Sequence, residues 1–251
     1  MRRYSLRGDQ WDRVRDLLSG RGGTVGVTAR DNRRFVETVL YRYRTGMPWR
    51  DLPERFGDRV QVHRRVSRWA KSGVSERVFQ YLAADADNEH AMIDGTIVRA
   101  HQHSAGAKKD GEDEAIGRSR GGLSTKIHTL VDALGDPVGF FLTGGHAHDL
   151  EGAGQFLPSM QADMLIADKA FDAGARVIAQ LAAAGKATVI PSKANRQSSR
   201  DFDREIYKER HLIENFFAKL KQFRAIATHY EKTKRNFLAA VHLVAAVIWL
   251  N

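Results

Sequence analysis

Two aspartates stand against the trend of the runs that hold them: Asp94 interrupts MIDGTIV, and Asp168 ends MLIAD. A buried strand excludes an unpaired carboxylate, because taking its charge out of water is costly. The end of such a strand is different, since in α/β proteins it opens on the crevice that holds the chemistry. Taken singly, each aspartate could equally cap the turn that follows. A third carboxylate, Glu214, lies in YKERHLIENFFAKLKQFRA, residues 207–225, which contains no Gly or Pro. There Leu212, Ile213, Phe216, Phe217, Leu220 and Phe223 recur at steps of three and four, predicting one helix with a broad apolar face. At about 100° per residue, Tyr207, Arg210, Glu214 and Lys221 fall in a stripe roughly 60° wide at the border of that face. An i,i+4 ion pair between Arg210 and Glu214 on a wetted stripe is one account. Whether the stripe does more than that depends on the rest of the chain.

The elements that would position these groups follow from the patterning. After ADADNEHA the chain changes to strand spacing. AMIDGTIVRAH, STKIHTLVD, PVGFFLTGG, DMLIAD and ATVIPS are predicted strands, with ALGDP turning the second into the third as a hairpin. ARVIAQLAAAGK is a predicted helix stopped by Gly185, and FLAAV to VIWL another. Strands alternating with helices in this order give an α/β class. On their strand, Lys126 and His128 point to one face and are candidates to reach the same crevice, as is Lys169 beside Asp168. Residues 104–122 form a loop of biased composition, long enough to touch a ligand.

Residues 5–82 read instead as short helices. SLRGDQWDRVRDLL opens on a serine cap and sets Trp11, Val14, Leu17 and Leu18 on one side. After the GRGGTVG loop, DNRRFVETVLYRYRTG is capped by Asp31 or Asn32 and stopped by Gly46. PWRDLPERFG gives a short helical turn. DRVQVHRRVSRWAKSGV then places Val62, Val66 and Trp69 on one face and Arg64, Arg65, Arg68 and Lys71 outside it, before SERVFQYLA closes the set. A helix-turn-helix reader of DNA fits this pattern, and so does an ordinary helical bundle with a charged face.

Charge separates the two parts. The chain of 251 residues carries a net +10, and residues 1–82 hold 19 Lys plus Arg against 9 Asp plus Glu. The other 169 residues balance, with 21 of each sign. Eighteen of the 19 are arginines, the side chain that best forks onto phosphates and guanine edges, so a nucleic-acid partner is expected. With no cysteine, disulfides and thiolate metal sites are excluded, consistent with a reducing, cytoplasmic setting. No stretch reaches the roughly 20 apolar residues of a spanning helix, and MRRYSLRGDQ lacks the apolar core of a signal peptide.

With these residues in hand, the chain resembles the bacterial insertion-sequence transposases with a DDE catalytic domain, in the group named after insertion sequence five. Tyr207, Arg210, Glu214 and Lys221 meet the family's tyrosine, arginine, glutamate, lysine spacing. MIDGTIVRAHQHSAGAKK is similar to its first aspartate motif and LIADKAFDA to its second, while TGMPWRDLPERFG and RRVSRWAKSGV are similar to its N-terminal part. One departure is Asp58 and Arg59 after FG, where similar proteins commonly carry a tryptophan. The resemblance implies a small all-α, helix-turn-helix-like DNA-binding domain over 1–84. It implies a ribonuclease H-like catalytic domain over 85–251, a mixed five-stranded sheet with flanking helices. Asp94, Asp168 and Glu214 would then converge and hold two Mg²⁺ ions, with Mn²⁺ able to substitute. Arg210, Lys221 and Tyr207 would lie on DNA. The implied partners are double-stranded terminal inverted repeats and target DNA, bound by a homodimer at the bacterial nucleoid, with no membrane involved.

Two other readings address parts of the sequence. HQH at 101–103 and HAHD at 146–149 could ligate zinc in a hydrolase, and the basic N-terminal part alone would suffice for a DNA-binding repressor.

Overall fold

A computed structural model describes residues 4–20, 29–105, 115–196 and 198–251 of the chain. Four helices come first: α1 (Gly8–Val14), α2 (Asn32–Thr45), α3 (Arg59–Lys71) and α4 (Val74–Ala83). Strands β1 (Ala91–Ala100), β2 (Gly117–Ser119), β3 (Gly122–Val131) and β4 (Pro137–Gly144) follow, then α5 (Leu150–Phe156), β5 (Met164–Ala167), α6 (Ala179–Ala183) and β6 (Ala187–Val189). The chain closes with α7 (Arg204–Lys208), α8 (His211–Lys221), α9 (Arg224–Ala227), β7 (Thr228–His229) and α10 (Lys234–Trp249). It divides into two units, Met1–Leu82 with Arg99–Glu114 and Leu220–Asn251, and Ala83–Val98 with Ala115–Lys219.

In the first unit the caps explain where helices begin. Asp31 accepts the Arg34 amide at 2.8 Å, and Gly46, in the left-handed region at φ +73, ends α2 as expected. A Cβ at Gly46 would come within 2.7 Å of Arg224 Cβ, so that turn tolerates no side chain. Asp58 caps α3 by accepting the Val60 amide at 2.7 Å, which gives a structural use to the residue that departs from the family pattern. The predicted serine cap of α1 does not form: the helix starts at Gly8, and Gln10 Oε1 accepts the Arg7 amide at 2.9 Å instead. Trp69 packs edge-on against Phe35 at 4.9 Å, and α10, with Phe237, Val241 and Val244 buried, packs on α2 and α3. Arg42, 1 % exposed, is held by Glu231 at 3.3 Å and by the Met47 carbonyl at 3.1 Å. Such a pair needs partners for both charges, because either one left alone in the interior is strongly destabilising.

In the second unit β3 runs antiparallel to β4 through seven paired positions from Thr125↔Gly144 to Val131↔Pro137, the expected hairpin. Among the described residues the sheet has seven strands, ordered β2-β3-β1-β5-β6 with β4 also on β3, while β7 pairs with Arg99 and Ala100 of β1 within the first unit. All five predicted strands are present. The two added are β2, within the expected 104–122 loop, and the two-residue β7, both too short to show a period. Residues 106–114 of that loop and most of GRGGTVG lie outside the described residues. One face of the sheet is packed by Ile93, Leu165 and Ala167 against Ala153, Phe156 of α5 and Leu181 of α6. On α8, Ile213, Phe216 and Phe217 are buried, and Phe216 lies 5.9 Å from Phe140 of β4.

Three buried histidines give the fold a pH dependence. Burial lowers His128, His229 and His242 to about 4. Since an unfolded histidine titrates near 6.5, the unfolded chain binds more protons between the two values. Stability is therefore full above about pH 6.5 and lost as pH falls towards 4, by roughly 2 kcal/mol per histidine at pH 5. Urea unfolding at pH 7.5 and 5 is expected to show this loss, and His242→Leu to narrow it by about 2 kcal/mol.

Candidate active site

The pairing of β1 with β5 builds the site. These strands run parallel in the register Ala91↔Leu165, Met92↔Ile166, Ile93↔Ala167, so Asp94 and Asp168 are the next residues on adjacent strands. Because side chains alternate, both belong to the face of Met92 and Ile166, opposite the one packed by α5. Asp94 Oδ1 accepts the amide of Gly95 at 2.7 Å, and Asp168 Oδ1 accepts that of Ala170 at 2.8 Å. Burial raises the Asp94 pKa, the Gly95 amide and Arg210 oppose this, and the nearby charges of Asp168 and Asp149 add to the rise.

Arg210 joins this pair to the third carboxylate. One guanidinium nitrogen bonds Asp94 Oδ2 at 2.9 Å and another bonds Glu214 Oε1 at 2.6 Å. Glu214 remains 59 % exposed while Asp94 and Arg210 are about one-fifth exposed. Burial pulls the Arg210 pKa down, but Asp94, Glu214, Tyr207 and Asp168 outweigh it, and the net shift is upward. The predicted i,i+4 ion pair is present, and the same guanidinium extends it to Asp94. Among the described residues no group of three His, Asp or Glu side chains is poised to hold an ion, and a guanidinium bridges two of the three expected ligands.

The helix that carries these residues is not continuous. Glu209, Arg210 and Leu212 donate to carbonyls three residues back, at 3.0, 3.2 and 2.8 Å, so the ladder tightens between α7 and α8. Tyr207 sits on α7 with its ring edge-on to Phe202 at 5.4 Å, Arg210 sits in the turn, and Glu214 and Lys221 are on α8. Lys221 is exposed, the last residue of α8.

Lys126 and His128 do not share the crevice of Asp94. They lie against Gly95, which alternation turns to the α5 face; a Cβ there would be 3.3 Å from Lys126 and 3.5 Å from His128. Lys126 is buried, its ammonium bound to the Ala147 carbonyl at 2.6 Å and Asp149 at 3.0 Å. His128 is wholly buried, with Nε2 2.9 Å from Thr143 Oγ1. Neither is presented to a large ligand. Lys169 is exposed beside Asp168. In the first unit Arg64, Arg68 and Lys71 are exposed, whereas Arg65 stacks over Phe35 at 4.1 Å and bonds Asn32, which makes it a packing residue.

The zinc reading loses its ligands for similar reasons. His101 stacks on Tyr230 at 4.3 Å and accepts the His103 amide at 3.2 Å. His146 fills the space beside Gly117 and Gly144, and His148 Nδ1 accepts the Leu150 amide at 3.1 Å. Sequence reasoning missed Asp172, whose buried carboxylate is bound by Arg196 and Arg200. The second acidic residue of DKAFD was its only sequence signal.

Comparison with known proteins places the chain in a family. The family "Transposase DDE domain" matches residues 85–250, and "Putative transposase of IS4/5 family" matches residues 6–79. The chain belongs to the IS4/5 DDE transposases. It is 41 % identical over 133 residues, 51 % of this chain and all of the relative, to "Putative transposase for insertion sequence element IS6501" of Brucella ovis. It is 49 % identical over 106 residues, 41 % of this chain and 83 % of the relative, to "Uncharacterized protein y4sN" of Sinorhizobium fredii. The DDE domain implies a ribonuclease H-like fold for this transposase, consistent with its mixed sheet and flanking helices. No helix among the described residues is long and apolar enough to cross a membrane.

Because burial dominates the Asp94 shift, its charge costs the transposase stability despite the Arg210 bond. That contribution is most favourable below the unfolded pKa and is lost as pH rises through the raised folded value. Asp94→Asn is therefore expected to melt at or above the wild-type temperature at pH 7 in chelator, read by circular dichroism.

Proposed function

We propose that this transposase binds the terminal inverted repeats of its insertion sequence, hydrolyses a phosphodiester at each end, and joins the freed 3′-hydroxyl to target DNA. The observation that carries the reading is the in-register adjacency of Asp94 and Asp168, tied through Arg210 to Glu214. Water attacks phosphorus at the transposon end and the 3′-oxygen leaves; that hydroxyl then attacks a target phosphodiester and displaces its 3′-oxygen.

Residues 85–251 would carry this chemistry and residues 1–84 the DNA-end binding. The hard oxygen donors of Asp94 and Asp168 suit divalent cations, and Glu214 would complete the set once its carboxylate leaves Arg210. Mg²⁺, two ions in this reading with Mn²⁺ able to substitute, would supply Lewis-acid activation at phosphorus when bound. Arg210, released from Glu214, would turn to a phosphate oxygen, a bidentate acceptor that matches its fork. Lys221 would bind the backbone from α8, Lys169 from beside Asp168, and Tyr207 would stack on a base or bond the backbone. Arg64, Arg68 and Lys71 would meet DNA from the exposed side of α3, with Arg65 holding that helix against Phe35. A homodimer would bring two ends together at the nucleoid.

Labelled duplex ending in the element's inverted repeat, mixed with protein and Mg²⁺ or Mn²⁺, is expected to be nicked at the end. Glu214→Gln is expected to lower the single-turnover rate by at least about a hundredfold while leaving end binding in a gel-shift assay. Intact nicking by that variant would refute the assignment.

A further inference from the structure

Asp172 is a buried charge that the reaction above does not use. Its side chain is wholly closed to solvent. Oδ2 accepts the Lys193 amide at 2.8 Å and Arg196 Nε at 3.0 Å, while Oδ1 accepts a second Arg196 nitrogen at 3.0 Å and Arg200 at 2.5 Å. Burial alone would raise its pKa, yet Arg196, Arg200 and the Lys193 amide hold it well below the usual carboxylate range. Arg200 ties the segment down again, its amide bonding Ser192 Oγ at 2.9 Å.

The carboxylate follows Asp168 by four residues, with the 3-10 turn Lys169–Phe171 between them. Segment 192–196 is therefore fastened to the same short piece of chain that ends β5. Together they line an open depression of about 460 Å³ whose walls include Asp168, Lys169, Lys193, Asn195 and His148. Among the described residues neither lysine is paired with a carboxylate, although salt bridges are frequent elsewhere in the chain. Two unpaired ammonium groups, an amide and an imidazole beside a strand-end aspartate suit a sugar-phosphate backbone: cations for the phosphate, neutral donors for its other oxygens, and no array that would read a base edge.

We infer that segment 192–196 is a phosphate clamp for the DNA strand that passes the Asp168 side of the site, with Lys193 as its contact residue and Asp172 as the anchor that positions it. This rests on the transposase reading and names the part of the substrate that the depression holds. The clamp is indifferent to sequence, so it acts alike on terminal-repeat and target DNA.

The test uses full-length protein and labelled duplex, either the terminal repeat or an unrelated sequence. Lys193→Gln is expected to weaken binding to both and to lower the slope of log affinity against log salt by about 0.9, one phosphate contact. Asp172→Asn keeps the shape but loosens the anchor, and is expected to weaken binding in the same direction; Arg196→Gln serves if that variant fails to fold by circular dichroism. Wild-type affinity and wild-type salt slope in Lys193→Gln, with a wild-type protein that binds and nicks, would overturn the clamp alone. Failure of the wild type to nick the repeat would instead sink the transposase reading and the clamp with it.

Discussion

The parallel pairing of β1 with β5 is the constraint on which the site depends. Two strands far apart in sequence are hydrogen-bonded in a register that ends with Ile93 opposite Ala167, and the next residue on each is an aspartate. A slip of one residue would turn either carboxylate into the apolar packing of the opposite face, where Ile93, Leu165 and Ala167 meet α5 and α6. The same apolar packing that stabilises the sheet therefore fixes which way the acids point. Chemistry and core are specified by one alternation.

Charge is then managed locally. Asp94 is held in its partly buried place by a guanidinium that also holds Glu214, so one cation serves two acids. On the far face Lys126 and Asp149 neutralise each other beneath Gly95. Further along the chain Asp172 takes two arginines and an amide. Asp132, also buried, is met by the backbone amides of Asp87, Leu134 and Asp136 instead, so desolvated carboxylates here are offset by either cations or amide donors.

Much of this was legible in the sequence. The five longer strands, the hairpin, the cap at Asp31 and the stop at Gly46 declared themselves through period and turn chemistry. So did Asp168 at the end of β5 and Asp94 as an interruption within β1. What stayed hidden depended on which way a side chain turns in three dimensions. Lys126 and His128 were correctly read as sharing a face of β3, but not which face, because period two says nothing about what covers either side. Arg65 shares a helix with Arg64 and Arg68, yet lies over the rings of Phe35 and Trp69, a contact that needs the fold. The break between α7 and α8 left no Gly or Pro to mark it, and the Asp172 anchor joins residues more than twenty positions apart.

The unit that contains the arginine-rich helices also takes in the last stretch of the chain, with α10 packed on α2 and α3 and Glu231 closing over Arg42. During synthesis a nascent chain ordinarily folds from its first residues onward. Here the opening helices would leave the ribosome with an apolar flank uncovered and a buried arginine still lacking its acid, until some 150 further residues had followed. The unit that carries the arginine-rich helices would thus be completed last rather than first.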